Sequence, residues 1–235
     1  VAFSQLVRSA AEVHLYTALG DDEAGAEVAA ELARTTARIH AAVRTEAHTR
    51  DVVMITPDGE RTIVVVGEPL HPRAADPLPW DLLASCDAAY FTAQDPAALR
   101  LARAARVLVV SARRREALVR SGVRADVVVG SVRDPREQSA LRDYPVVPGA
   151  LVLTEGAAGG HVETAAGTLR FPAPPAVATA GGSAYGAGDS FAGALTFYLA
   201  AGLAVPEACG RAGPHGAAVL RGVDPWESQV ALAMP

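Results

Sequence analysis

The 235-residue sequence contains no lysine and no asparagine, so all 21 of its basic residues are arginine. Without lysine there is no phosphate-loop lysine, no protein-kinase strand lysine and no Schiff-base lysine for pyridoxal phosphate. Any phosphate this chain handles must be met by arginine, backbone N–H groups or a metal. Cysteine is nearly absent. Cys86 and Cys209 are too few and too far apart for a disulfide framework or a zinc site, and read as small hydrophobes in a reducing compartment. No apolar run approaches the roughly 18 residues a bilayer span needs, and the opening residues Val1–Ala10 carry no signal-peptide pattern. These absences lead to the expectation of a soluble, cytoplasmic protein that does not engage a membrane. A net charge of −5 with scattered arginines argues against a nucleic-acid partner. The six histidines, at 14, 40, 48, 71, 161 and 215, show no metal-ligand spacing.

What the chain has is alanine, 50 residues of it, and a 50% hydrophobic content ample for one core. Helical and strand patterns alternate. Helices are expected over Val1–Ala10, Glu23–Arg34, Trp80–Ala84, Pro96–Arg103, Arg113–Ser121, Ala187–Ala201 and Pro206–Leu220. Strands are expected at Val13–Ala18, Ile39–Val43, Ala88–Thr92, Val107–Val110, Val127–Val129 and Leu151–Leu153. Two hairpins are expected as well: Asp51–Thr56 with Arg61–Val66 through Pro57-Asp58-Gly59, and Val162–Thr164 with Thr168–Phe171. Short apolar runs between helices predict an α/β fold, a mostly parallel sheet covered on both faces. Arg113-Arg114-Arg115 reads as a solvated helix face, and Trp80 and Trp226 read as packing residues.

The most informative segment is Gly181–Phe191, with Gly186-Ala187-Gly188-Asp189 running straight into a long helix. Glycines here bare backbone N–H groups at a helix N-terminus, which suits an anion. Asp189 in the first turn is placed to take a proton from a hydroxyl beside that anion, the minimum equipment for phosphoryl transfer to an alcohol. Three other readings stand beside this one. A dinucleotide fingerprint would need glycine where Phe191 stands. A metal site would need partner ligands at recognisable spacing. The third is a plain glycine-rich connection whose aspartate caps the helix.

Gly186-Ala187-Gly188-Asp189-Ser190-Phe191 resembles the carboxy-terminal signature of the ribokinase-like (PfkB) carbohydrate kinases. Three further segments are similar to motifs of that family, in the same order. They are Gly20-Asp21-Asp22-Glu23-Ala24-Gly25, Asp58-Gly59-Glu60-Arg61-Thr62, and Leu153-Thr154-Glu155-Gly156 with Gly159-Gly160. The resemblance implies a ribokinase-like α/β fold of one domain, with residues 38–66 contributing a β lid. It implies transfer of the γ-phosphate of Mg2+-bound ATP to a hydroxyl of a small carbohydrate, with a nucleoside kinase or a non-catalytic sugar- or nucleotide-binding relative as alternatives. Asp189 would be the general base, and Gly186, Ala187 and Gly188 the anion hole. Thr154, Gly156, Gly159 and His215 would lie on the nucleotide side. Asp134, in Ser131-Val132-Arg133-Asp134, would stand near magnesium through water, with Glu137 as a competitor. A homodimer through the lid is also implied. Ser183-Ala184-Tyr185 replaces the family's Asp-Xaa-Thr, which weakens the expectation of a bound monovalent cation. The family's opening strand and its GG-containing sugar-binding segment have no counterpart in these residues.

Overall fold

The computed structural model describes residues 1–56, 61–174 and 184–234. The expected turn Pro57-Asp58-Gly59, most of the Asp58–Thr62 motif and residues 181–183 lie outside the described residues or at their border. Four parallel strands, β5 (Ala88–Phe91), β6 (Val107–Ser111), β7 (Val127–Ser131) and β8 (Ala150–Thr154), continue into the antiparallel β9 (Gly160–Thr164) and β10 (Gly167–Phe171). The spatial order is β10-β9-β8-β7-β6-β5. This is the mostly parallel sheet the apolar runs predict.

Period-two alternation divides its side chains between two cores. Val109, Val127, Val129, Val152 and Val162 pack against the helices α5 (Ala187–Ala200) and α6 (Val205–Ala218). Leu108, Val110, Val128, Leu151 and Leu153 face the other way, onto Leu99 of α3 (Pro96–Ala102) and Leu118 of α4 (Arg115–Ser121). Burial on both faces explains why these strands read as unbroken Val/Leu runs. α5 is the central helix: every residue from Ser190 to Leu199 is buried.

Upstream, α1 (Ala2–Leu6) crosses α5 at Gly193, where a Cβ would come 2.7 Å from the Ala2 carbonyl. The parallel pair β1 (His14–Gly20) and β2 (Arg38–Arg44) forms a two-stranded sheet, with α2 (Glu23–Ala33) between its strands in sequence. Asp22 caps α2 by accepting the Gly25 N–H at 2.9 Å, and its other oxygen accepts the His48 N–H at 3.1 Å. Tyr16 of β1 stacks on Trp80 and donates to the Pro79 carbonyl at 2.8 Å, tying this pair to the approach to β5.

β3 (Arg50–Ile55) and β4 (Arg61–Val66) form a separate antiparallel hairpin. Arg44 and Asp76 clamp its foot through a two-pronged ion pair at 2.7 and 2.8 Å, with both side chains largely buried. α7 (Pro225–Ser228) was not anticipated from the sequence, its four residues being too few to show a period. Trp226 on it is 43% exposed, which corrects its reading as a packing residue.

Candidate active site

The parallel strands end on one edge at Phe91, Ser111, Ser131 and Thr154, and the loops leaving β7 and β8 carry the candidates Asp134, Gly156 and Gly159. The carboxyl edge of an open parallel sheet is where such folds present ligands. α5 packs on β5, β6 and β7 and brings its N-terminus to the same region.

Gly186 is the N-cap of α5, with φ of +82° and no side chain capping the helix. Asp189 is therefore not the cap, and the bland helix-capping reading of the aspartate does not hold. Among the described residues no side chain bonds the first-turn N–H groups of α5, though the Ala187 N–H donates to the Ala184 carbonyl at 3.3 Å, and these groups carry the positive end of a 14-residue helix. Gly188 and Asp189 are both exposed, and a Cβ at Gly188 would meet none of the described residues within 4 Å. Gly186 is the opposite case: buried, left-handed, and pressed so closely that a Cβ would lie 2.8 Å from the Val1 side chain and 2.9 Å from Pro225. The turn combines an open glycine for approach with a closed glycine for geometry.

Tyr90 and Arg113 both feel the charge of Asp189. Burial first, and then the negative charge of Asp189, push the Tyr90 phenol well up. Arg113 follows the end of β6 and bonds Asp134 at 2.8 Å and Glu137 more closely still. Burial pulls the Arg113 guanidinium down, but Glu137, Asp134 and Asp189 outweigh it and hold it above its ordinary value. Arg114 donates to the Thr92 carbonyl, and Arg115 to the Gln138 carbonyl at 3.2 Å. Arg113 and Arg115 are exposed, in keeping with the expected solvated face at 113–115, and Arg114 is half-buried. These arginines tie the loops after β5, β6 and β7 together, at sequence separations of 21 to 24 residues that local pattern cannot show.

Asp134 accepts from Arg113, from the Arg136 guanidinium and from the Arg136 N–H at 2.9 Å. Burial opposes its ionisation, yet Arg136 and Arg113 keep its pKa below the ordinary carboxylate value. Both of its oxygens are engaged, and no group of three or more His, Cys, Asp or Glu suited to a metal stands among the described residues. The carboxylates present do not fit a protein-held magnesium cage; the water-mediated role expected for Asp134 competes with arginines already in place.

Of the residues expected on the nucleotide side, Thr154 ends β8, half-buried, and donates to the Gly130 carbonyl at 3.3 Å. Gly156 is exposed with φ of +65°, and the Arg133 guanidinium lies directly over it: a Cβ there would come 2.7 Å from the Arg133 Cζ. Among the described residues Arg133 forms no ion pair with a carboxylate, unlike Arg113 and Arg136 beside it. Sequence reading passed over it. Gly159 is buried, with φ of +83°, and a Cβ there would collide with the Phe171 carbonyl, so it shapes the turn rather than presenting itself to a ligand. Glu155 is held below its usual range by Arg170 and then His161, which it accepts from at 2.6 and 2.7 Å.

His215 is 5% exposed, with Nε2 3.2 Å from the Tyr198 hydroxyl in the α5–α6 interface, and burial lowers its pKa. Its expected contact with a base is corrected: the ring is part of the core. An open concavity of about 300 Å³ lies between β1, α2 and the hairpin foot, lined by Thr17, Leu19, Leu32, His48 and Leu70 among others. It shares no residue with the Asp189 edge.

No family model matches the sequence, and no curated protein matches it either. Solved structures do. The PfkB protein of Polaromonas sp. JS666 is 21% identical over 96% of this chain and 85% of its own, with a TM-score of 0.72. Adenosine kinase of Sinorhizobium meliloti is 16% identical over 99% and 78%, with a TM-score of 0.76. An E. coli protein assigned as ribokinase II, solved with ATP and Mg2+, is 17% identical over 98% and 83%, with a TM-score of 0.74. The chain has the ribokinase-like fold. Within it, the glycine turn and Asp189 head the helix that packs on the parallel strands. No described helix is long and apolar enough to cross a membrane.

Proposed function

We propose that this protein is a phosphotransferase that moves the γ-phosphate of ATP to a hydroxyl of a small carbohydrate. The observation that carries the reading is Asp189: an exposed carboxylate in the first turn of a helix with no side-chain cap, beside a glycine open to solvent. In this reading Asp189 takes the proton of the acceptor hydroxyl as its oxygen bonds the γ-phosphorus and the bond to ADP breaks. The N–H groups of residues 186–188 stabilise the charge on the transferring group. The proteins of like fold described as an adenosine kinase and as a ribokinase II bound to ATP and Mg2+ support this class of reaction.

The nucleotide lies against Thr154 and Gly156, and Arg133 supplies the cation that a lysine would otherwise provide for its phosphates. A magnesium ion bound to the nucleotide would offset the charge of its phosphates, and no residue of this chain is given a role as its ligand. The β3–β4 hairpin is the lid. It exposes Val52, Met54, Val64 and Val66 on one face and Ile63 and Val65 on the other. A two-stranded hairpin this apolar is marginal alone, which supports pairing of lids in a homodimer. Use of ATP is in keeping with a cytoplasmic location.

The test is ADP release from Mg2+-ATP across a panel of sugars and nucleosides, with Asp189→Asn in parallel. Turnover with one acceptor class, lowered by about 10²–10⁴ in the variant, is expected. Turnover with adenosine and none with free sugars would move the reading to a nucleoside kinase. A variant that keeps most of its kcat overturns the role of Asp189, and ATP binding without turnover makes the chain a non-catalytic relative.

A further inference from the structure

Asp189 is held from a part of the chain that no motif marks. We infer that the C-terminal turn Asp224–Gln229 is a strut that sets the orientation of the 186–190 turn, with Pro225 and Gln229 as positioning residues; this rests on the kinase reading above.

The strut touches the turn on both sides of Asp189. On one side, Pro225 abuts Gly186, at 2.9 Å from where a Cβ would stand. On the other, Gln229 Nε2 donates to Ser190 Oγ at 2.8 Å and to the Val1 carbonyl at 3.0 Å, using both amide hydrogens. Ser190 is fully buried and Gln229 is 4% exposed, so water does not compete for this bond.

The strut is itself fixed. Asp224 caps α7 by accepting the Trp226 N–H at 2.8 Å, and Pro225 presets the first helical dihedral. From α1 and the turn after it, Gln5 donates to the Val230 carbonyl at 2.8 Å, Arg8 donates to the Trp226 carbonyl, and the Leu232 N–H returns to the Arg8 carbonyl at 2.9 Å.

The chemistry of Gln229 argues for direction rather than filling. Among the described residues its Oε1 is buried and has no hydrogen-bond partner. An apolar side chain of similar length would occupy the space and strand no oxygen. What the amide adds is an oriented bond to the residue following Asp189. A first turn free to rotate would displace the carboxylate from the line between acceptor and phosphate, and displacements of about 1 Å cost on the order of a hundredfold in rate.

The experiment compares Gln229→Met, Ser190→Ala and the double variant with Thr196→Val, which removes a buried hydroxyl from the same helix away from the turn and serves as a stability control. Gln229→Met and Ser190→Ala are expected to lower kcat by roughly ten- to a hundredfold, with KM for ATP nearly unchanged. The double variant should be no worse than the poorer single one. Thr196→Val should lower the melting temperature comparably and leave kcat alone. Amide exchange over residues 187–190 gives a second readout that needs no turnover, and should quicken in Gln229→Met and not in Thr196→Val. An unchanged kcat and unchanged local exchange in a folded Gln229→Met protein overturn the strut. A wild-type protein inactive on every acceptor, with exchange still responding to Gln229→Met, overturns the kinase reading and leaves the strut standing.

Discussion

Replacing Gly186 and Gly188 separately by alanine should separate architecture from chemistry within one turn. At Gly186 the backbone has φ of +82°, and a methyl would stand 2.8 Å from the Val1 side chain and 2.9 Å from Pro225. The left-handed conformation costs an L-residue about 1–2 kcal/mol, and overpacking adds about 1–3. Gly186→Ala should therefore lose about 2–5 kcal/mol, a large share of a total stability of about 5–15. At Gly188 the φ is not left-handed and a methyl meets none of the described residues within 4 Å. Alanine there should be neutral, or stabilising by up to about 1 kcal/mol through helix propensity. Yet its methyl would project into the open space before the N–H groups proposed to meet the transferring phosphate. Losing one such donor costs about 10²–10³ in kcat. Urea unfolding of both variants beside steady-state ADP release reads the two effects. A Gly186→Ala protein as stable as the parent would refute the steric argument. A Gly188→Ala protein with parental kcat would refute the anion hole.

Arg133→Ala should raise KM for ATP about tenfold or more with little change in kcat, since the guanidinium meets the donor's phosphates in ground and transition state alike; an unchanged KM removes Arg133 from the site. Asp76→Asn breaks the buried pair with Arg44 and should cost about 3 kcal/mol in chemical unfolding. The hydrogen bond from Arg44 lowers the Asp76 pKa in the fold, so its stabilisation is complete above the unfolded value near 3.8 and fades as pH falls through the folded one. The acid limb of stability below about pH 4 should accordingly be shallower in the variant, and an identical limb would count against the pair. Val64→Lys should turn a dimer into a monomer in sedimentation, whereas a wild-type protein monomeric at micromolar concentration would dismiss lid pairing.

The sequence by itself determined the features that need only neighbours in the chain. The runs at 107–110 and 127–129 announced buried parallel strands because burial on both faces leaves no polar alternation. The 186–189 turn was legible because glycine dihedrals, helix start and carboxylate fall within four residues. The 51–66 hairpin followed from β-branched runs about a turn signal. Tertiary structure decided what depends on which distant segment comes to rest alongside. Asp134 read as a metal-side carboxylate until Arg113, 21 residues away, was found on it. His215 read as a base contact until the packing of α6 on α5 enclosed its ring. Arg133 became conspicuous only when Gly156 arrived beneath it, and Gln229 only when its amide met Ser190 across 39 residues. Local dihedral and periodic preferences are written residue by residue. Whether a charge is free, paired or buried is a property of the company the fold provides, and no short window of sequence contains that company.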